Sequence, residues 1–250
     1  MDDVWAPVGA ALERAAAGGR TVEIWLRDDD AVTATGALER LARLASDAEM
    51  PVLLAVIPGS ADRHLARFVA TEPLLTPTQH GFTHTNHAGL DARACELGGQ
   101  RAPAVVLDDL VRGRERMRDL FHGAHTDILV PPWNRIAPEL LPHLPSLGFG
   151  ALSTFADLHA GTAGLDVVNC HLDIIDWRNG RVGHRENKLV GRLAILIDSG
   201  APVGLLTHHL AHDAAAWQFL ERALPYLAAR PEVRFTSADR LRSGAERRGS

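Results

Sequence analysis

Five groups of polar residues in this 250-residue chain have the types and spacing for chemistry. Asp28, Asp29 and Asp30 form an unbroken acidic triplet. The segment QHGFTHTNH sets His80 and His84 four residues apart, with His87 three further on. PPWN places Trp133 after two prolines. DIIDW carries Asp173, Asp176 and Trp177, and LLTHH carries His208 and His209. Three adjacent carboxylates repel one another unless a cation or solvent compensates them. Two histidines and one carboxylate can ligate a divalent ion and leave positions open for water, as catalytic zinc sites do. The same donors suit Co2+, Mn2+, Ni2+ or Fe2+.

Each group also has an ordinary reading. An acidic triplet can be an exposed turn that caps a helix beginning near Thr33. QHGFTHTNH can be a His-rich surface loop, and Gly81 with the preceding TPTQ favours a turn, or a single helical turn, over a long helix. PPWN is turn chemistry by itself, with a backbone N–H aimed at a developing oxyanion as its further use. Asp176–Trp177 reads as a turn packed by an aromatic lid. One histidine of LLTHH can act as a general acid near neutral pH. A carboxylate bonded to such a histidine fixes its tautomer and raises its pKa.

The elements that must position these groups alternate. Strands are predicted at residues 21–27, 51–57, 74–79, 127–130, 166–171, 202–206 and 233–236. Helices are predicted at 34–50, 60–70, 105–121, 138–147, 188–199 and 213–230, followed by a short terminal helix. PVLLAVI and PVGLL are continuous apolar runs, as strands covered on both faces should be. Such alternation implies a parallel sheet. About seven or eight units suggest a closed or nearly closed barrel rather than an open doubly wound sheet. The polar groups all fall at C-terminal strand ends, where parallel barrels build their active sites. Residues 85–103 are polar and read as a loop, either a substrate-selecting cover or a solvated insertion.

The totals are those of a globular chain, with 46% hydrophobic and 23% charged residues and a net charge of −5. A single domain over residues 1–250 is expected. No basic face for nucleic acid is evident, and the Arg-rich stretch from Arg240 to Arg248 reads as a solvated terminus. Cys95 and Cys170 lack CxxC spacing and read as free thiols. The acidic start is unlike a signal peptide and no run reaches membrane-span length, so a cytoplasmic protein without a membrane partner is expected.

The five groups, in this order, resemble the motifs of the NodB-homology polysaccharide deacetylases, carbohydrate esterase family 4. The resemblance runs from about Thr21 to His209 through motif order and spacing. It implies a distorted (β/α) barrel of about seven parallel strands. Asp29 and Asp30 then match the general base and the metal ligand of the family's Asp-Asp pair; a one-residue slip would make these Asp28 and Asp29. His80 and His84 match the histidine ligands of His-Ser/Thr-x-x-His, with Gly81 at the hydroxyl position. Pro132 and Trp133 match the third motif, but Val130 replaces its arginine, whose charge would fall to Arg135 or Arg27. Asp173 would orient the acid and His208 of Leu-x-His would supply it, while the Trp133 backbone N–H would hold the oxyanion.

The resemblance implies metal-assisted hydrolysis of an amide, with Zn2+ the first expectation for the ion. An N-acetylated sugar or a related small amide would be the substrate. Two other classes remain: a binding module that keeps fold and metal without turnover, motivated by Val130, and an Fe(II) oxygenase with a two-His-one-carboxylate triad. The lack of an all-β pattern counts against the oxygenase.

Overall fold

The computed structural model describes residues 4–156 and 164–246. Asp2 and Asp3 of the acidic start, and Arg247 and Arg248 of the basic stretch, lie outside them. In chain order the elements are α1 (Ala6–Ala17), β1 (Val22–Ala31), α2 (Gly36–Asp47), β2 (Val52–Val56), α3 (Arg63–Val69) and β3 (Leu75–His80). Then come α4 (Pro103–Phe121), β4 (Ile128–Val130), β5 (Ala151–Leu152), β6 (Asp166–Val167), β7 (Leu172–Asp173), β8 (Ile175–Asp176) and β9 (Val182–Gly183). The chain continues through α5 (Glu186–Asp198), β10 (Val203–Thr207), α6 (Ala214–Ala228), β11 (Val233–Phe235) and α7 (Ala238–Glu246). No helix among the described residues is long and apolar enough to cross a membrane.

These elements fall into two compact units, each drawn from several stretches of chain. One comprises Met1–Asp28, Thr35–Val52 and Cys170–Ala238. There β1 pairs in parallel with β10, Asp28 lying opposite Thr207, and with β11. Strand β10 pairs in parallel with β7, Leu206 lying opposite Asp173. Helix α2 forms because Leu38, Leu41, Ala42 and Ala45 share one buried face and the Thr35 hydroxyl accepts from the Leu38 N–H at its start. Asp213 caps α6 in the same way through the Ala216 N–H. Helix α1, not foreseen from the sequence, buries Val8, Ala11, Leu12 and Ala15 against α5. Strands β8 and β9 form an antiparallel hairpin.

The other unit comprises Asp29–Ala34, Leu53–Asn169 and Asp239–Ser250. Strands β3, β4, β5 and β6 pair in parallel in that order, with His80 opposite Val130. Leu97, Val106, Leu110, Leu129, Ile136 and Phe149 belong to one buried apolar cluster. Residues 85–102 are irregular, as expected, apart from a bridge between Leu97 and Ile136. One expectation fails here and another holds only in part. Residues 138–147 form 3-10 turns rather than an α-helix, because Pro138, Pro142 and Pro145 cannot donate backbone hydrogen bonds. The basic terminus is not simply solvated, since Arg242 in α7 pairs with Asp127 and Asp166.

Candidate metal centre

Strand β1 runs further than its apolar pattern suggests, so the acidic triplet lies in its last residues rather than in a turn after it. The following helix is capped by Thr35, which removes the helix-cap explanation of the triplet. Asp30 has a φ of 73°. This left-handed conformation is uncommon outside glycine but tolerated by Asp, and it departs from the regular strand path at the last carboxylate of the triplet.

His80 ends β3, and its ring is almost fully buried. The Val130 carbonyl can only accept, so His80 Nδ1 donates to it at 2.9 Å. That bond aims His80 Nε2 at Asp30 Oδ1, 3.2 Å away. His84 Nε2 lies 3.2 Å from the same oxygen. His80 and His84 are not on a helix. Gly81 and His84 both adopt left-handed backbone, at φ 55° and 57°, and the chain between them doubles back. The Trp133 ring lies 4.3 Å from the His84 ring and covers it.

Asp30, His80 and His84 each offer one ligand atom, all within 4.8 Å of one another. The donor set suits a divalent ion. With Nδ1 carrying a proton, a neutral His80 turns its Nε2 lone pair toward a carboxylate oxygen, an arrangement that calls for a cation between them. The local field points the same way. Burial pushes the His80 imidazole down, but the Asp29 charge and the bond and charge of Asp30 leave its pKa raised. His84 is lowered, first by burial and then by the neighbouring His80, against the pull of Asp30 and Glu96. Asp29 is 2% exposed and adjoins the ligand Asp30 in the chain.

Glu96 had no motif to announce it. Its side chain is fully buried and accepts from the Thr83 N–H at 2.7 Å, the Thr83 hydroxyl at 3.1 Å and the Phe82 N–H at 3.2 Å. The 131–135 turn is built from two successive left-handed residues, Trp133 and Asn134, and closes with the Asn134 N–H on the Pro131 carbonyl. Arg135, one candidate for the missing motif charge, donates to the Ala94 carbonyl at 2.8 Å.

The first-described unit holds the remaining candidates. Asp28 is fully buried and bonds the His209 ring through Oδ1. Its Oδ2 accepts from the Thr207 hydroxyl at 2.6 Å and the His209 N–H at 2.9 Å. Burial raises its pKa, but the charge and hydrogen bond of His209, with His212 and Thr207, leave it lowered overall. Asp173 lies within β7 rather than after a strand. It accepts from the Ile175 N–H and, at 2.8 Å, from the Trp177 indole N–H. The Trp177 ring meets the His208 ring edge-on at 4.6 Å. Asp176 is the last residue of β8, opposite Val182 in the hairpin, where it accepts from the Arg178 N–H and the Asn179 side chain and pairs with His184. Cys95 and Cys170 are free thiols.

No family model and no curated protein matches the sequence. Solved structures do match the fold. A Mycobacterium smegmatis protein assigned as a polysaccharide deacetylase is 16% identical, with 92% of each chain covered and a TM-score of 0.71. The peptidoglycan deacetylase PdaC of Bacillus subtilis is 13% identical, covering 92% of this chain and 94% of its own at a TM-score of 0.62. A family 4 acetyl xylan esterase of Clostridium thermocellum, in complex with a cobalt ion, is 12% identical, covering 90% and 92% at a TM-score of 0.56. The chain therefore has the NodB-homology fold of carbohydrate esterase family 4, an α/β fold of the distorted (β/α)-barrel type.

Proposed function

We propose that this protein is a metal-dependent amide hydrolase that removes an acyl group, most simply acetyl, from an N-acylated sugar or a related small amide. The observation that carries the reading is the convergence of His80 Nε2 and His84 Nε2 on one oxygen of Asp30. These three residues would hold a divalent ion, Zn2+ by first expectation. When bound, such an ion supplies Lewis acidity at the acyl carbonyl and acidifies the attacking water.

The chain's own residues do the rest. Asp29 takes the proton from water as general base, and its burial keeps the competing solvent few. The Val130 carbonyl holds the His80 ring in the tautomer that leaves Nε2 free to ligate. Trp133 packs on the His84 ring and offers its backbone N–H to the oxyanion. His208 protonates the leaving nitrogen, an assignment supported by the family motif. Asp173 acts on that histidine as a positioning residue, through the Trp177 ring that it bonds.

A second reading rests on Val130, which stands at the family's arginine position and is buried in β4. A protein of this fold that binds metal and saccharide without turnover would look the same at the ligands. The two separate in one experiment, in which metal content and acetate release from N-acetylated sugars are measured on purified protein. We expect stoichiometric metal in the parent, its loss in the His80→Ala, His84→Ala double variant, and turnover in the parent alone. Metal content unchanged in that variant overturns the site. Metal without acetate release from any N-acetyl substrate favours the binding module.

A further inference from the structure

The hydroxyl residue of the family's second motif is absent, and the structure supplies something else in its place. We infer that Glu96, from the irregular segment after β3, is the residue that holds the His80–His84 turn in its ligating shape, and that Gly81 is the space it requires. This rests on the metal-site reading above.

The geometry is specific. The Glu96 carboxylate gathers the N–H groups of Phe82 and Thr83 and the Thr83 hydroxyl, all within the turn that joins the two histidines. A further anchor on this turn is the Gly59 N–H on the Phe82 carbonyl, at 2.8 Å. A Cβ on Gly81 would overlap Glu96 Oε2. A side chain at position 81 and the carboxylate therefore compete for one volume.

The carboxylate is itself held from behind. The Cys95 carbonyl accepts from the His87 N–H, and the Cys95 N–H donates to the Asn86 side chain. Leu97 is fully buried, bridges to Ile136, and its carbonyl accepts from the Ala137 N–H. Residue 96 is thus pinned on both sides, one side by the apolar cluster of its unit. A buried carboxylate is costly unless its oxygens are bonded, and here the donors that satisfy it are those of the ligand turn. The segment 85–103 therefore has a defined task beyond covering or solvation: it delivers a positioning residue to the metal turn.

The test compares Zn2+ affinity, by competition with a chromophoric chelator, in the parent, Glu96→Gln, Glu96→Ala and Asp91→Asn. Asp91 is exposed in the same segment and controls for loss of charge alone. Partners of metal ligands typically change affinity by about 10–100-fold when removed. We expect Glu96→Ala to bind Zn2+ at least about tenfold more weakly, Glu96→Gln to fall between it and the parent, and Asp91→Asn to stay within about twofold. The visible spectrum of the Co2+-loaded protein should change in both Glu96 variants. The rise in Tm on adding Zn2+ should shrink with the affinity. Parent-like affinity and Co2+ spectrum in both Glu96 variants overturn this inference alone. So does a Tm that drops equally with and without Zn2+, since Glu96 then serves the fold only. A parent that binds neither ion overturns the metal-site reading and this inference with it.

Discussion

Replacing Gly81 tests the packing argument without any metal. Gly81→Ala adds one methyl carbon at a left-handed position with φ 55°. A Cβ in that conformation costs roughly 1–2 kcal/mol. The same Cβ would overlap the Glu96 carboxylate and lie 2.6 Å from Pro132 Cγ and 2.7 Å from its Cδ. Neither neighbour yields easily, since Glu96 is fixed by its three donors and Pro132 is a ring in a tight turn. Forcing a carbon into a packed site adds about 1–3 kcal/mol. The whole effect should therefore be about 3 kcal/mol. Gly123→Ala separates the two contributions: its φ is 85°, yet a Cβ there meets nothing within 4 Å. It should lose only the backbone part. Urea denaturation of the metal-free proteins measures both, at unchanged m-value. Gly81→Ser should behave like Gly81→Ala, although a hydroxyl residue stands at that place in the family. A Gly81→Ala loss no larger than that of Gly123→Ala would refute the reasoning, because the carboxylate and the ring would then have room to give.

Two further outcomes separate fold from function. Asp28→Asn breaks a fully buried carboxylate–histidine bond and should cost about 2–4 kcal/mol in urea denaturation. Asp29→Asn should leave stability near the parent's while turnover collapses and bound metal is kept; the reverse pattern would shift the base by one residue. His212, edge-on to Trp217, is pushed down to about 4, chiefly by burial. Unfolded, it takes up a proton below its ordinary 6.5, so its contribution is complete above that pH and is lost as pH falls toward 4. The loss reaches up to about 3 kcal/mol before allowance for its partial solvent access. His212→Phe should flatten the urea-midpoint decline between pH 7 and 4.5, and a parent-like decline would count against this assignment.

Much of this was written in local pattern. The apolar runs at β2 and β10 and the leucine spacing of α2 are strong periodic signals, and they gave a parallel α/β fold its outline. The pairing of His80 with His84, four residues apart, marked the ligand turn. Strands of two residues, such as β5 and β7, carry no periodicity, so the sequence pattern puts Asp173 after a strand when it lies within one. Helix α1 gives a weak sequence signal because half of its buried face, Ala11 and Ala15 beside Val8 and Leu12, is alanine.

What the linear order cannot encode is which neighbour a side chain finds. Three identical carboxylates in a row differ only in where the strand register and the φ of Asp30 send them: Asp28 to Thr207 and His209, Asp30 to His80 and His84. The exchange at Gly81 is of the same kind. As a sequence letter it looks like a lost hydroxyl. Only the fold shows Glu96, fifteen residues on, brought back through the Leu97–Ile136 bridge into the space that a side chain there would have filled. Residue types and spacing determined which chemistry was available, while tertiary packing decided which copies of each residue perform it, because burial and hydrogen-bond geometry act across segments that the sequence keeps apart.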